Sequence, residues 1–388
     1  MSRSTAAGIR ALISPADVLR ELVAIPTVSS QSNRALVEWL QQFFEPLRWH
    51  ERTFSYTDSE GNEKLNLLFS PEPLEQDTVQ AELAIVCHTD TVPYAAEWQG
   101  ATKLREENGM LHGCGACDVK GFLACMLVAA SQVSSLRLKK RLCLVFTSDE
   151  EIGCRGARFL LEQKALHARY AIVGEPTSLI PARAGKGYCL AKIEVHGKAA
   201  HSAFPAAGNS AIFAAARLLR RIEALAEELT EHSNEAFSPP WTTLNVGEIY
   251  GGTAKNVVPP QCSMLLEWRP VPSQSSSFVL DRVRSIIHDL AIEDRRFAAS
   301  IEVLRIEEGF ETSVESVVVQ AVLAHDMTEI RNISFGTEAP WMAKMGAEAV
   351  VIGPGSMLTA HSPRECVPLT ELDGCADRLF SAIMRLCS

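Results

Sequence analysis

The chain has 388 residues, 47% of them hydrophobic, so it can bury a large core and is long enough for about two domains. Its 37 basic and 47 acidic side chains give a net charge of -10, and the short basic cluster at 217–221 lies on a predicted helix, which argues against a nucleic-acid-binding surface. No run of about 18 apolar residues occurs, and the first residues lack the apolar stretch of a secretory signal, so we expect a soluble, cytoplasmic protein without a membrane partner.

The first half of the chain alternates helix and strand patterns. A helix is predicted from Pro15, with Ser14 as its N-cap, and a second helix within 34–47. Three short, almost continuous apolar runs follow, with predicted helices between them. The runs are 83–90, 141–151 and 170–177, and the helices are 120–133 and 154–164. This pattern predicts an α/β fold with a mainly parallel twisted sheet that is covered by helices on both faces.

From about residue 187 the strands become alternating, as expected when one face is buried. The order is strand, helix, strand, strand, helix, strand, at 189–197, 208–231, 242–252, 262–270, 277–291 and 301–310. Segments 313–325 and 349–355 and a final helix at 369–387 return to the first pattern. We therefore predict a discontinuous first domain, 1–186 and 309–388, and an inserted α+β domain, 187–308.

The eleven cysteines include one close pair, Cys114 and Cys117, directly before Asp118. A C-x-x-C pair indicates a redox site or half of a zinc site only when a second pair, or a pair of histidines, completes it. The other nine cysteines are scattered singly. We interpret Cys114 and Cys117 as small packing residues of a reduced, intracellular protein, with a thiol redox site as the alternative.

Acidic and histidine residues follow the predicted strands at their carboxyl ends, where open α/β sheets bind ligands. They are His88, Asp90, Glu150, Glu151 and Glu175. Such a set fits a site for two divalent metals. This kind of site needs some ligands that bind only one of the ions and one carboxylate that bridges both. Asp90 lies two residues after His88, so it is placed to hold the free ring nitrogen of that histidine.

Further candidates complete this site. Asp118 lies in a glycine-rich loop before a helix, where a short carboxylate can approach two metals. Glu150 and Glu151 are adjacent, so one can bind metal while the other serves as general base. Glu175 offers a carboxylate to the second ion, and His361 offers the remaining imidazole. Each residue alone is more often a helix cap or a solvated surface group, but four elements at successive strand ends favour the metal site.

The order of these motifs resembles that of the dinuclear zinc deacylases of the aminoacylase and carboxypeptidase superfamily, and within it of the acetylornithine deacetylase group. The matching segments cover nearly the whole chain: "HTDTVP", "GCGACDVKG", "TSDEEIGCRGA", "GEPTSLIPARAGKG", "GKAAHSAFP", "GGTAKNVVP", "FGTEAPW" and "GPGSMLTAHSPRE". The resemblance implies a zinc-peptidase-like catalytic domain and an inserted lid domain that also forms a homodimer.

The resemblance also implies roles for individual residues. His88, Asp118 and Glu175 would bind one Zn²⁺, and Asp118, Glu151 and His361 the other, with Co²⁺ as an alternative metal. Glu150 would then be the general base. His201 would reach the active site of the partner subunit and stabilise the oxyanion there, although the sequence by itself favours a histidine that caps the next turn.

The inserted domain contributes candidates for substrate binding. Asn256, interpreted as buried beside Gly251 and Gly252, and Arg269, at a strand end, suit recognition of a carboxylate or carbonyl group, with an exposed arginine as the alternative. Lys186 stands in "AGKG", where the family more often has "AHKG", and Cys114 stands where the family commonly has arginine or another residue. The first departure affects the predicted substrate pocket.

Glu338 in "FGTEAPW" gives that loop a negative charge, which suits a substrate with a side-chain ammonium such as ornithine. A carboxylate at the start of the following helix is the equal alternative. The resemblance implies hydrolysis of an N-acyl amino acid, foremost N2-acetylornithine to ornithine and acetate in arginine biosynthesis. The alternatives are a succinyl-diaminopimelate desuccinylase, another deacylase such as one for acetylcitrulline, and, outside the enzymes, a non-catalytic protein that binds amino acids or peptides.

Overall fold

The computed structural model of the protein describes residues 14–75, 77–323 and 328–388. The helices are α1 (Pro15–Val23), α2 (Arg34–Phe44), α3 (Lys120–Val133), α4 (Arg155–Glu162), α5 (Ala211–Leu229), α6 (Phe278–Glu293), α7 (Val317–Val322), α8 (Ala339–Lys344) and α9 (Leu369–Cys387). The first 13 residues, on which the expectation about a secretory signal rests, lie outside the described residues, as does the end of the segment 313–325.

The strands are β1 (His50–Thr57), β2 (Glu63–Ser70), β3 (Val79–His88), β4 (Arg105–Glu107), β5 (Met110–His112), β6 (Leu142–Thr147), β7 (Leu166–Gly174), β8 (Ala182–Gly185), β9 (Tyr188–His196), β10 (Thr243–Gly251), β11 (Gln261–Arg269), β12 (Ala298–Glu307), β13 (Phe310–Glu311), β14 (Arg331–Ile333), β15 (Glu348–Ile352) and β16 (Cys366–Pro368). The chain divides into two compact units, the first with residues 1–183, 312–331 and 337–388 and the second with residues 184–311 and 332–336. None of the helices in the described ranges has the length and apolar character needed to cross a membrane.

The first unit is built on a sheet whose central strands are parallel. The strand order is β1-β2-β6-β3-β7-β15, and β3 pairs in parallel with both β6 and β7, as β15 does with β7. All six residues of β6 are buried, as expected for a central strand with both faces covered. Helices α1, α3 and α9 pack together, while α4 and α8 contact each other and neighbouring strands. The predicted fold class, a mainly parallel sheet with helices, is confirmed.

The register of the parallel strands brings their ends to one edge of the sheet. His88 at the end of β3 lies opposite Thr147 at the end of β6, and Gly174 at the end of β7 lies opposite Ile352 of β15. The residues that follow these strands therefore meet at the same edge, where Glu175 directly continues β7. This arrangement places the candidate ligands together.

The sequence patterns did not predict the antiparallel hairpin that extends one side of this sheet. Strand β1 pairs with β2 along eight residues, and β2 pairs antiparallel with β6. The turn between β1 and β2 is closed by Asp58, whose Oδ1 accepts hydrogen bonds from the backbone N–H groups of Glu60 and Asn62. The hairpin therefore lies directly beside the strand that leads to Glu150 and Glu151.

The second unit contains a four-stranded antiparallel sheet with the order β10-β11-β9-β12. Buried and partly buried residues alternate along β9 and β11, which shows that one face packs on a core. Helices α5 and α6 contribute to that core through residues such as Leu218, Ile222 and Val283. The predicted inserted α+β unit with alternating strands is thus present, and β10 and β12 are the edge strands of its sheet.

Candidate metal centre

The structure brings five of the predicted residues into two groups, both within the first unit. His88, Asp118 and Glu175 form one group, and Asp118, Glu151 and His361 form the other. In each group one ligand atom per residue lies within 4.8 Å of the others. These are the two groups that the family resemblance implied, and Asp118 belongs to both.

Asp118 divides its two carboxylate oxygens between two histidines. Its Oδ1 lies 3.2 Å from Nε2 of His88, and its Oδ2 lies 3.0 Å from Nε2 of His361. His361 Nε2 also lies 3.1 Å from Oε2 of Glu151. A carboxylate with one oxygen toward each imidazole has the geometry that a bridge between two cations requires.

The loop that carries Asp118 is held by a residue that the sequence reasoning did not assign. Glu365, 1% exposed, accepts hydrogen bonds from the backbone N–H groups of Cys117 and Asp118, each at 3.1 Å. Burial raises the pKa of Glu365 to about 7. Its only sequence signal is its place four residues after His361 in "HSPRE".

The electrostatics of the two groups favour a bound cation. Burial raises the pKa of Glu175 well above its usual value, and the nearby carboxylates of Glu150 and Asp118 act in the same direction. Burial also opposes ionisation of Asp118, yet hydrogen bonds from His361 and His88 hold its pKa below the usual value. One buried oxygen of Glu151 and one of Glu175 have no hydrogen-bond partner among the described residues. Buried carboxylates without donors require a counter-charge, so these residues fit divalent metal ions.

Asp90 lies beside the ring nitrogen of His88 that faces away from Asp118, where the sequence predicted it. Nδ1 of His88 is 3.1 Å from the backbone carbonyl oxygen of Asp90 and 3.6 Å from its carboxylate. The carboxylate also accepts hydrogen bonds from the backbone N–H groups of Glu150 (3.1 Å) and Glu151 (3.2 Å) and from the hydroxyl of Ser29 (2.7 Å). Asp90 thus fixes the backbone on which both glutamates stand.

Glu150 and Glu151 point to different surroundings, as their adjacent positions led us to expect. Glu151 lies in the second ligand group, whereas Glu150 belongs to neither group and accepts a hydrogen bond from the thiol of Cys154 at 3.3 Å. Desolvation of the partly buried Glu150 raises its pKa to about 8; His88 opposes this rise, and the carboxylates of Glu151 and Asp118 add to it. A carboxyl group that changes protonation near neutral pH suits proton transfer.

The thiols of Cys114 and Cys117 are not activated. Both side chains are buried and free, and burial raises the pKa of Cys114 to about 11 and that of Cys117 well above its usual value. Cys117 Sγ lies 3.8 Å from the carbonyl oxygen of Ser356. Thiols that stay protonated are poor nucleophiles and poor ligands, which agrees with a packing role.

Glu338 is the N-cap residue of α8, and its side chain makes no capping hydrogen bond. It is 1% exposed, and its Oε1 has no hydrogen-bond partner among the described residues. Burial raises its pKa to about 7, although nearby His88 opposes the rise. Its contact with a substrate ammonium stays a prediction.

Four predicted residues lie in the second unit. His201 is exposed, and its Nδ1 accepts a hydrogen bond from the backbone N–H of Ala203 at 3.1 Å, which is the turn-capping contact that its position indicated. The expectation that Asn256 is buried is wrong. All residues from 251 to 256 are exposed, because the chain leaves edge strand β10 there in an open turn.

The charged groups of Lys186 and Arg269 donate hydrogen bonds to backbone carbonyl oxygens of the second unit. The ammonium of Lys186 donates to the carbonyl oxygens of Pro239 (2.8 Å) and Trp241 (2.7 Å). The guanidinium of Arg269 donates to the carbonyl oxygen of Ser334 and lies 4.8 Å from the ring centroid of Tyr188. Their part in substrate binding stays a prediction.

Comparison with known proteins gives consistent matches over most of the chain. A model described as peptidase family M20/M25/M40 matches residues 84–385. An acetylornithine deacetylase of Myxococcus xanthus is 44% identical over 370 residues, which cover 95% of this chain and 96% of that protein. An acetylornithine deacetylase of Shigella sonnei is 32% identical over 386 residues, which cover 96% of this chain and 97% of that protein. A crystal structure of a tripeptidase from Staphylococcus aureus shares the fold, with a TM-score of 0.76 at 21% identity, over 95% of this chain and 97% of that chain.

The raised pKa values predict how the stability of the metal-free protein depends on pH. Glu150 and Glu338 have pKa values of about 8 and about 7 in the folded protein against 4.5 as the ordinary value, so the folded state keeps their protons longer than the unfolded state. Their contribution is complete below the ordinary pKa and is lost as the pH rises through the folded value. His361, raised from 6.5 to about 10, acts in the same direction at higher pH.

We therefore expect the free energy of unfolding of the metal-free protein to fall between about pH 5 and pH 8. Added divalent metal should reduce this fall, because a bound cation replaces the protons on the carboxylates. Urea unfolding at a series of pH values, with chelator and with Zn²⁺, measures both. Metal-free stability that increases over this pH range would contradict the assignment of these carboxyl groups.

Proposed function

Since this chain belongs to peptidase family M20/M25/M40, we propose that it hydrolyses the amide bond of N2-acetylornithine to give ornithine and acetate, a step of arginine biosynthesis in the cytoplasm. The family that the sequence motifs indicated is confirmed, and with it the prediction of a metal-dependent hydrolase. The observation that carries the proposal is the pair of ligand groups sharing Asp118, with Glu150 beside them. Two acetylornithine deacetylases that match this chain over nearly its whole length support the choice of substrate.

We further propose that the metals are two Zn²⁺ ions per subunit, with Co²⁺ able to replace them. Imidazole nitrogens and carboxylate oxygens are ligands that Zn²⁺ accepts, and the two groups offer both kinds. When bound, the ions would polarise the acyl carbonyl and lower the pKa of a coordinated water to about 7. His88, Glu175, Glu151 and His361 would each serve one ion, and Asp118 both.

Glu150 is proposed as the residue that moves protons. Two observations support this role: its carboxylate belongs to neither ligand group, and burial raises its pKa to about 8, so it takes up a proton near neutral pH. It would accept the proton of the attacking water and pass it to the amide nitrogen as the carbon–nitrogen bond breaks. The immediate products are a carboxylic acid and a free amine. Transfer of the remaining proton from the acid to the amine gives a carboxylate and an ammonium, so the proton count closes without another acid.

His201 is proposed to stabilise the oxyanion in the partner subunit of a homodimer, as the resemblance implies. Support for dimer formation comes from the second unit, where edge strand β10 exposes Tyr250 (66%) and Ile249 (48%) and nearby Phe213 is 73% exposed. A cavity of about 840 Å³ is lined by Phe213, Gly251 and neighbouring residues. An unpaired edge strand with exposed apolar side chains favours pairing with a second copy.

The substrate and the metal requirement are tested in one assay of the purified protein. We expect hydrolysis of N2-acetylornithine in preference to acetylcitrulline and succinyl-diaminopimelate, and loss of turnover together with a lower melting temperature after chelation. Released amine is measured for each substrate, with metal content determined in parallel. Full turnover by protein shown to be free of metal would contradict the proposal.

Substitution of the two adjacent glutamates by glutamine should impair the protein in different ways. Glu150→Gln removes the proton acceptor, so it should keep its metals and bind substrate but lose turnover by about 10² to 10⁴-fold. Glu151→Gln removes a charged ligand and should lose metal. Metal analysis beside kcat and KM separates the outcomes, and an equal loss of metal in both variants would show that the roles are wrongly assigned.

The proposal that His201 acts in the hydrolytic centre of the partner subunit is tested by mixing two inactive variants. His201→Ala and Glu150→Gln should each be nearly inactive alone. A mixed dimer has one centre with both wild-type groups, contributed by different chains, and activity should return to at most about a quarter of wild type after random exchange.

A histidine that acts within its own chain predicts no recovery, because each chain of the mixed dimer then carries one defect in its own centre. Exchange is verified by mass spectrometry of isotopically labelled chains. Verified exchange without any gain in activity would exclude the crossing.

A further inference from the structure

The turn between β6 and α4 carries both Glu150 and Glu151, and it is held from two sides within the first unit. Asp90 binds the two glutamate N–H groups on the side of the ligand groups. On the other side the contacts come from the β1–β2 hairpin, through side chains that play no part in the proposed chemistry. The role inferred below for these hairpin side chains rests on the proposed function of the two glutamates.

Lys64 on β2 is a buried cation that connects the loop at 29–31 with the turn before Glu150. Its side chain is 1% exposed. The ammonium donates to Oδ1 of Asp149 at 2.7 Å, to the carbonyl oxygen of Gln31 at 2.9 Å and to the carbonyl oxygen of Ser29. An ammonium has three donors, so this geometry fixes it completely and leaves little freedom to its acceptors.

Asp149 directly precedes Glu150, and its conformation needs support. Its backbone has a φ of +57°, a left-handed conformation that non-glycine residues seldom adopt. Its carboxylate is 1% exposed and accepts from Lys64 and, at 2.7 Å, from the hydroxyl of Tyr56 on β1. Two donors from the hairpin thus hold the residue that sets the direction of the chain into Glu150.

Asn66 on β2 adds a third link one residue earlier. Its Oδ1 accepts from the backbone N–H of Ser148 at 2.9 Å and from the hydroxyl of the same serine at 3.1 Å. Ser148 and Asp149 are therefore attached to the hairpin, while Glu150 and Glu151 are attached to Asp90. The two attachments thus hold successive residues of the segment 148–151 at the start of the turn.

We propose that Lys64 is a positioning residue for the hydrolytic centre, acting through its ion pair with Asp149 to set the placement of Glu150 and Glu151. The pair connects two segments that lie 85 residues apart in sequence. Because catalysis depends strongly on the placement of reacting groups, a displacement of the turn by about 1 Å is enough to lower the rate by about 100-fold. Stability alone would not require the cation to bind the residue next to the base.

Three variants separate positioning from structural support. Lys64→Met keeps the length of the side chain but leaves the Asp149 carboxylate without its cation. Asp149→Asn removes the charge and retains a residue that tolerates left-handed backbone. The double variant removes both charges of the Lys64–Asp149 pair, so it should remain folded if either single variant unfolds. Asp58, whose carboxylate lies 3.7 Å from the Lys64 ammonium, loses that cation in both Lys64 variants but keeps its hydrogen bonds from the backbone N–H groups of Glu60 and Asn62.

We expect kcat to fall about 10- to 100-fold in all three variants at saturating metal, with KM within about two-fold of wild type. The melting temperature of the double variant should recover relative to Lys64→Met, whereas its kcat should not, because the link to the turn is still missing. Hydrogen exchange of the Glu150 and Glu151 amides should be faster in each variant, with and without metal. Lys140→Met is the control, since Lys140 forms an ion pair with Glu82 in the same unit away from the turn; it should match wild type.

A purely structural role predicts that kcat of the double variant recovers together with its melting temperature and that amide exchange in the turn is unchanged; either result would overturn the proposal. The exchange measurement does not depend on turnover. If the wild-type protein failed to hydrolyse any of the acylated amino acids, the proposed function would fall, while faster exchange in the variants would still show that Lys64 orders the turn.

Discussion

Repulsion among the acidic side chains at one edge of the parallel sheet determines how the residues around them are arranged. Glu151 and Glu175 follow parallel strands that end level, Asp118 reaches them from the loop before α3, and burial makes their charges costly. Two histidines reduce the cost around Asp118, one at each oxygen. The remaining deficit of positive charge is what two divalent cations would supply.

The buried carboxylates differ in whether the protein supplies hydrogen-bond donors to all of their oxygens. Asp90, Glu365 and Asp149 receive hydrogen bonds from backbone N–H groups, hydroxyls or an ammonium, so the protein itself satisfies them. Glu151 and Glu175 each keep an oxygen without a donor among the described residues. Asp90 holds the backbone N–H of Glu151 and Glu365 holds that of Asp118, which keeps these ligand atoms converging although their charges repel. Rigidity in the surroundings thus preserves an arrangement that is unfavourable in itself.

The candidate ligands could be predicted from the sequence because each follows a strand or motif that is local. The apolar run of β3 ends at His88 and that of β7 precedes Glu175, so a parallel sheet brings both to one edge. Asn256 was misjudged because adjacent glycines indicate a turn but say nothing of its exposure. The β1–β2 hairpin was not predicted because β1 is mostly polar and the burial of β2 depends on pairing with β6. The ion pair of Lys64 with Asp149 spans 85 residues, and no local pattern reports such a contact.

The discontinuity of the first unit orders events during synthesis of the chain. The group of His88, Asp118 and Glu175 is complete once residue 175 has been made, whereas the group of Asp118, Glu151 and His361 awaits a segment that follows the whole second unit. The ligands of the first group are therefore all present in the nascent chain long before those of the second. During this interval the carboxylate of Asp118 has His88 as its histidine partner, and the second ligand group becomes complete only when the chain returns to the first unit.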